Sequence, residues 1–471
     1  MTCSRKSIRV GIMAYYYPPV GGGGTARSAG FVKWLPDFGV IPHVFSIDLN
    51  TYKTDREFAV DTTLESNNAR VTRVRDCDRL KAIKDLLVRA KVFPLYWSAA
   101  YRWEYEGQRS WAVAAASEIL RTHRENPFDL LYASAGPYSQ LELVSKAAKK
   151  LNIPWVADLR DPWNIASLKR YPSKIHALWE SKFEQAILDS ASAIIMNTPS
   201  SMKLMLDRYG DRFAEKLCWI PNGIDVVDKR GESGGDINDK GIFKIVHAGT
   251  LYDAGVRTNG LARYYSSEIH DEARSLMPLA RAMRKLIDEE PELQHRIRII
   301  QYGYTPESLK REVKACVSEQ QVFEFMGVRP KSEVVQACLD ADALLVLQVA
   351  FAGGEVPTPH IPGKTFDYLA LEKRILAPIP NGDLWELLSQ FSRASVMSYK
   401  DEVGLAATLS QFGKRLGQRG ILVSKNEVNI QKSLNRRNLT QKLADVFQHV
   451  VTGAAVRLPS GKDFSDLSRG E

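Results

Sequence analysis

Residues 348–377 read QVAFAGGEVPTPHIPGKTFDYLALEKRILA. An apolar run, a glycine- and proline-rich loop, a short amphipathic stretch and a second apolar run follow in order. The pattern predicts a strand–helix–strand unit, with a buried strand over 343–349, a helix over 363–373 and a strand over 374–377. Phe366, Leu369 and Ala370 share one face at helical spacing and are expected to be buried. Lys364 falls in the first turn, where free backbone N–H groups and the helix dipole attract an anion. That start plus Lys364 suits a diphosphate, and Asp367 one turn on suits two ribose hydroxyls. The competing structural reading is an ordinary Lys–Asp surface pair.

The same alternation extends outward in both directions. Upstream of 228, strands are predicted over 7–16, 41–47, 129–133, 155–158, 192–197 and 216–220, with helices over 25–38, 138–151 and 175–189. Residues 228–241, DKRGESGGDINDKG, have no apolar core and form the best linker in the chain. Beyond it come strands over 243–248, 297–301 and 322–326 and helices over 275–289 and 331–339. Repetition of this kind gives an α/β fold of two Rossmann-like halves. Ligands of open parallel sheets sit beyond the carboxyl ends of the strands, so two such halves are expected to face a shared cleft. The predicted division is 1–228, a linker 229–241, a second domain 242–428, a terminal helical segment 429–458 and a polar tail 459–471.

Composition narrows the class. The chain has 471 residues, 44% hydrophobic and 25% charged, which suits globular domains and excludes collagen or disorder. No repeat of solenoid period is visible. Five scattered cysteines without a CxxC pair exclude a disulfide framework and a recognisable zinc site, and suit a reducing compartment. No secretory signal and no apolar stretch of about 20 residues is present, so the expected location is cytoplasmic. The net charge of +9 is mild over this length and does not indicate nucleic-acid binding.

Three further loops gather chemistry at predicted strand ends. The first reads Tyr15-Tyr16-Tyr17-Pro18-Pro19-Val20-Gly21-Gly22-Gly23-Gly24-Thr25-Ala26-Arg27. Gly22, Gly23 and Gly24 let the backbone approach a ligand before a helix start, and Arg27 is expected to reach the same anion. A plain surface loop is the alternative. Gly22-x-Gly24 with Asp48 also mimics a dinucleotide fingerprint, but Arg27 stands where the third glycine belongs. The second loop is Asp158-Leu159-Arg160-Asp161-Pro162-Trp163. Its carboxylates can accept sugar hydroxyls, its arginine can hold a phosphate and its tryptophan can cover a sugar face. The alternative is a structural Arg–Asp pair with a core tryptophan. The third is His247-Ala248-Gly249-Thr250-Leu251-Tyr252, followed by Arg257. Gly249 allows close backbone approach, and Arg257 is either a phosphate ligand or a solvated side chain. Two D-x-D matches, Asp76-Cys77-Asp78 and Asp340-Ala341-Asp342, read as structural and not as metal sites.

These pieces together resemble the bacterial family 4 (group 1) glycosyltransferases of the GT-B fold. The likeness is carried by the Tyr-Pro-Pro-Val-Gly-Gly-Gly-Gly opening, Asp-Leu-Arg-Asp-Pro-Trp, Ile220-Pro221-Asn222-Gly223-Ile224-Asp225, His247 to Tyr252, and Pro362-Gly363-Lys364-Thr365-Phe366-Asp367-Tyr368-Leu369-Ala370. The last segment looks like the surface-polysaccharide subgroup. The resemblance implies retaining transfer of a sugar from a nucleotide-sugar donor, with no obligatory cofactor or metal, to a glycan or lipid-linked acceptor. It implies that Lys364 holds the diphosphate and Asp367 the ribose, that Gly249 and Arg257 line the phosphates, and that Gly22 to Gly24 close over the reacting centre. Arg160 and Asp161 stand where many members carry His-Asp, and are expected to place the acceptor and the transferred sugar. The resemblance further implies that a departing phosphate oxygen, not a protein base, takes the acceptor proton. The paired glutamates common in the family are missing: Pro359 stands where the first falls and Asp367 is an aspartate. Glu355 and His360 are two alternatives for that first acid.

Residues 79–110 hold seven Lys/Arg against three acids, net +4, interleaved with Phe93, Tyr96, Trp97, Tyr101, Trp103 and Tyr105. This suits either the surface of an anionic membrane, as a peripheral protein, or helices packed on the first domain. A terminal helix is predicted over 429–451, and the resemblance has it cross back to the first domain. A GT-B epimerase or phosphorylase, or a non-catalytic sugar-binding scaffold, are the rival functions.

Overall fold

A computed structural model describes residues 7–52, 69–76, 108–163, 174–225, 241–252, 269–317, 321–351, 357–414, 424–453 and 464. Arg257, Glu355, linker residues 229–240, the tail apart from Phe464, and residues 79–107 of the basic aromatic segment lie outside them. The chain divides into two compact units, Met1–Gly223 with Leu434–Asp463, and Ile224–Ser433 with Phe464–Glu471.

The first unit runs β1 (Ile8–Met13), α1 (Gly23–Trp34), β2 (Val40–Ile47), β3 (Arg70–Val74), α2 (Arg109–Glu125), β4 (Leu130–Ser134), α3 (Ser139–Leu151), β5 (Trp155–Leu159), α4 (Lys174–Asp189), β6 (Ala193–Met196), α5 (Pro199–Tyr209) and β7 (Leu217–Trp219). Its strands are all parallel, in the order β3-β2-β1-β4-β5-β6-β7. Strands β4, β5 and β6 are buried throughout, as parallel strands covered on both faces must be, and so they read as apolar runs, broken only toward their ends by Ser134 in β4 and Asp158 in β5. Strand β3, Arg-Val-Thr-Arg-Val, lies at the edge and is half exposed. Its two arginines hide it from an apolar-run search.

The second unit runs β8 (Phe243–Ala248), β9 (Ile269–His270), α6 (Met277–Glu289), β10 (Ile297–Tyr302), α7 (Glu307–Cys316), β11 (Phe323–Gly327), α8 (Lys331–Leu339), β12 (Ala343–Leu345), β13 (Ala350–Phe351), α9 (Gly363–Ala370), β14 (Arg374–Ile379), α10 (Asp383–Leu388), β15 (Ala394–Ser398), α11 (Glu402–Lys414) and α12 (Lys425–Ser433). The main sheet is parallel with order β11-β10-β8-β12-β14-β15, while β9 and β13 pair separately as an antiparallel ribbon. The predicted strand 343–349 is therefore shorter than expected. Its chain leaves the sheet after the bond from Val346 N–H to the Leu376 carbonyl, 2.9 Å, and turns to meet β9.

In each unit the strand order reverses beside the first strand, between β1 and β4 and between β8 and β12. These are the switch points where open α/β sheets bind ligands. The glycine loop follows β1 and the His-Ala-Gly loop follows β8.

The predicted helix 429–451 is two helices. Asn435 caps α13 (Arg436–Thr452), its Oδ1 accepting the Arg437 N–H at 3.0 Å. Before the break, α12 is held by its own unit: the Glu427 carboxylate accepts the Ser392 N–H at 2.8 Å, and the Gln431 amide donates to the Leu369 carbonyl at 2.9 Å. After the break, α13 packs on the first sheet. Leu439, Leu443 and Phe447 are buried with Val10, Ile12 and Tyr132. Gly30 and Gly223 admit the first turn of α13: a Cβ on Gly30 would lie 2.6 Å from Arg436 Cδ, and one on Gly223 2.9 Å from Arg436 Cα.

Candidate functional site: the two switch points

In the second unit, Lys364 does not lean on Asp367. It stands in the first turn of α9, and its Nζ lies 2.7 Å from His247 Nε2 at the end of β8. Helix α9 is placed by Phe366 and Leu369, which are buried, and by Tyr368, whose Oη accepts the Ala248 N–H at 2.9 Å. Ala370, expected in the core, is only half buried. Gly249 has φ of +150°, and a Cβ there would lie 2.4 Å from Lys364 Nζ. Glycine is thus what lets the ammonium reach the backbone after β8. Asp367 is exposed one turn on.

A second cation belongs to this site. Arg274 lies with its guanidinium 4.5 Å from the centre of the Tyr252 ring. Burial pushes the Lys364 ammonium down to about 7, and the Arg274 charge pushes the same way. Burial also holds His247 well below its ordinary value, reinforced by Lys364 and opposed by its bond to Gln301. Arg274, a lysine that burial brings close to losing its proton, and a neutral imidazole therefore share one end of the sheet.

The first unit is built differently. Arg27, expected to face a ligand, is 1% exposed and grips Asp158, Nε to Oδ2 at 2.9 Å and Nη2 to Oδ1 at 2.7 Å. Tyr132 Oη and Ser134 Oγ donate to the same carboxylate at 2.5 and 3.1 Å, and Asn222 accepts from Arg27 at 3.3 Å. Burial alone would raise Asp158, but the Arg27 charge and these donors outweigh it and hold the carboxylate below its usual range. The anion role expected for Arg27 is corrected: the cation is consumed inside the fold. Trp163 is likewise a core residue, stacked on Tyr138 at 5.0 Å with its Nε1 donating to Glu180 at 2.9 Å.

Arg160 is the side chain from that loop that stays at the switch point. Its Nε donates to the Ala135 carbonyl and its Nη2 to the Gly136 carbonyl at 2.9 Å. A Cβ on Gly24 would lie 1.4 Å from Arg160 Nη1, and one on Gly136 2.0 Å from Nη2. The glycines of the first loop make room for this guanidinium. Gly22, with φ of +104°, precedes the helix, and Gly23 and Gly24 open it. Asp161 is exposed, its carbonyl accepting from Tyr138 Oη at 3.1 Å. His360 packs against Phe351 at 5.7 Å and is half buried.

The D-x-D pair at 340–342 serves the fold. Asp342 accepts the Lys244 N–H at 2.8 Å and Asp340 accepts from Gln336 at 3.0 Å.

Residues 77–228 match the family model Glycosyltransferase Family 4. Over that stretch the chain is similar to the family 4 glycosyltransferases. A comparison of the sequence with curated proteins gives no match. Solved structures similar to this transferase include a glycosyltransferase from Rickettsia africae, 11% identical, TM-score 0.59, covering 96% of this chain and 100% of that one. An α,α-trehalose-phosphate synthase (UDP-forming) from Burkholderia xenovorans is 12% identical, TM-score 0.58, covering 95% of this chain and 100% of that one. The lipopolysaccharide outer core galactosyltransferase WaaB is 10% identical, TM-score 0.52, covering 95% and 99%. At these identities the likeness shows the fold: two Rossmann-like parallel-sheet domains of the GT-B type. Among the described residues, no helix of the transferase is long and apolar enough to cross a membrane.

Sequence reading missed Arg274, which closes an ordinary-looking Asp-Glu-Ala-Arg stretch before α6. It also gave no role to His247 or to Gln301, because both sit in runs that read as buried strand.

Proposed function

We propose that this transferase takes a nucleotide-sugar donor on its second unit and passes the sugar, with retention, to a glycan or lipid-linked acceptor in surface-polysaccharide assembly. The observation that carries the donor reading is the pairing of Lys364 and Arg274 at the switch point beside β8. Among the described residues neither cation has a carboxylate partner. A charge held at that depth without a counter-ion favours an anionic ligand. The diphosphate takes the Lys364 ammonium and the N–H groups at the start of α9, and Asp367 takes the ribose hydroxyls. Gly249 allows the backbone to touch the phosphates, and Arg257 adds a further phosphate ligand.

On the first unit, Gly22 to Gly24, Arg160 and Asp161 place the acceptor and the transferred sugar. The departing phosphate oxygen takes the acceptor proton, so positioning and charge stabilisation carry the rate. No metal is required in this scheme, and activity is expected to survive EDTA. The enzyme works in the cytoplasm, with residues 79–110 resting on anionic lipid. Co-sedimentation with phosphatidylglycerol vesicles at low salt, lost at high salt, tests that contact.

The central test is a thermal-shift screen against UDP, GDP, dTDP and their sugars. One nucleoside diphosphate is expected to raise the melting temperature, because it binds the native state alone. The reading falls if none does, or if Lys364→Ala leaves the shift unchanged.

A further inference from the structure

His247 and Gln301 are register partners on the adjacent parallel strands β8 and β10, and both are fully buried. The Gln301 amide nitrogen donates to the Gly249 carbonyl at 2.7 Å and to the Tyr302 carbonyl at 3.0 Å. Both of its N–H groups are thereby used, so the amide oxygen faces His247 Nδ1, with which it bonds. An oxygen there accepts only if Nδ1 carries the proton. Nε2 is left as a lone pair, and it faces Lys364 Nζ at 2.7 Å. An ammonium has three N–H donors; one is fixed by Nε2 and two remain. The loop carbonyl that orients Gln301 belongs to Gly249, the same glycine whose missing Cβ lets the ammonium in. A second glycine, Gly303 with φ of +114°, keeps that carbonyl in place, since a Cβ there would lie 2.5 Å from it.

We propose that His247, locked in one tautomer by Gln301, is a positioning residue that aims the Lys364 ammonium at the anion of the donor. The inference rests on Lys364 being the diphosphate ligand. An imidazole suits this task where a carboxylate would not. It holds the lysine by a hydrogen bond and leaves its positive charge uncancelled, so the site keeps its attraction for phosphate. Arg274 and Lys364 are the charged groups that bear on the imidazole, and both favour its neutral form.

The test uses the full-length protein and the nucleoside diphosphate that gives the largest thermal shift, with its nucleoside monophosphate as control. His247→Leu is expected to weaken diphosphate binding about tenfold, the effect of one lost buried hydrogen bond, and to leave the monophosphate nearly unchanged. His247→Gln, which keeps a neutral acceptor, is expected to recover most of the loss. His247→Glu keeps the acceptor but cancels the lysine charge, and is expected to bind diphosphate worse than His247→Gln. Equal loss for both nucleotides, or no loss for either, overturns the positioning role. If these variants fail to fold, 15N-histidine spectra of the wild-type protein decide. A neutral Nδ1–H tautomer at His247 supports the relay, and an Nε2–H tautomer overturns it. Should Lys364→Ala itself leave diphosphate affinity unchanged, the donor-site reading falls; should only the His247 variants do so, that reading stands and the relay falls.

Discussion

The two switch points carry similar residue types and use them in opposite ways. Beside β1, Arg27 meets Asp158 inside the fold, and three further polar groups, from Tyr132, Ser134 and Asn222, complete the pair. Beside β8, Lys364 meets an imidazole, with Arg274 adding charge of the same sign. A cation answered by a carboxylate is spent on structure. A cation answered by a neutral acceptor keeps its field for a ligand. Arg160 stands between these cases, its guanidinium tied to two carbonyls and, among the described residues, to no carboxylate.

The widest separation between the sites should appear in stability. Asp158→Ala leaves the Arg27 charge buried and unpaired, and is expected to cost about 3–5 kcal/mol in chemical denaturation. Nucleotide affinity of the remaining folded protein should hardly change. A loss of affinity without a loss of stability would break the contrast.

Lys364→Ala should do the reverse. It removes a charged hydrogen bond to the diphosphate, and is expected to weaken binding by roughly 10- to 100-fold in calorimetry with little change in melting temperature.

The same lysine gives a pH signature. Its value falls from 10.5 unfolded to about 7 folded, so between those limits the folded state holds fewer protons than the unfolded state. Stability of the unliganded protein from this group therefore rises with pH across that window and is flat below about 7. A bound diphosphate restores the charge. Binding near pH 8 should take up a fraction of a proton, read from calorimetry in buffers of different ionisation heat. Proton release on binding would contradict the assignment.

Gly24→Ala is the mildest change. The new methyl meets the far end of the Arg160 side chain, which can swing aside, so stability should move by less than about 1 kcal/mol. Acceptor KM should rise while donor affinity holds. An unchanged acceptor KM would remove Arg160 from the acceptor site.

Much of this was legible early. Strands β4, β5, β6 and β14 are buried on both faces, so their apolar runs betray them. The start of α9 could be placed because Pro362 and Gly363 precede a clear helical face. The edge strands β3 and β15 and the short β9–β13 ribbon escaped, since half-exposed or two-residue strands leave no apolar run. The split between α12 and α13 escaped too, because Asn435 caps a helix inside a stretch whose helical pattern does not lapse.

The amino-acid order alone set the two Rossmann-like units, the glycines at both first-strand turns, and Lys364 in the opening turn of α9. Those follow from local periodicity and from where glycine is tolerated. Which charges are free did not. Arg27 and Asp158 lie 131 residues apart in sequence, and Lys364 and His247 lie 117 apart. Only packing of the sheets decides which cation finds a carboxylate and which finds a neutral ring, because burial and partner together fix what a charge can still do.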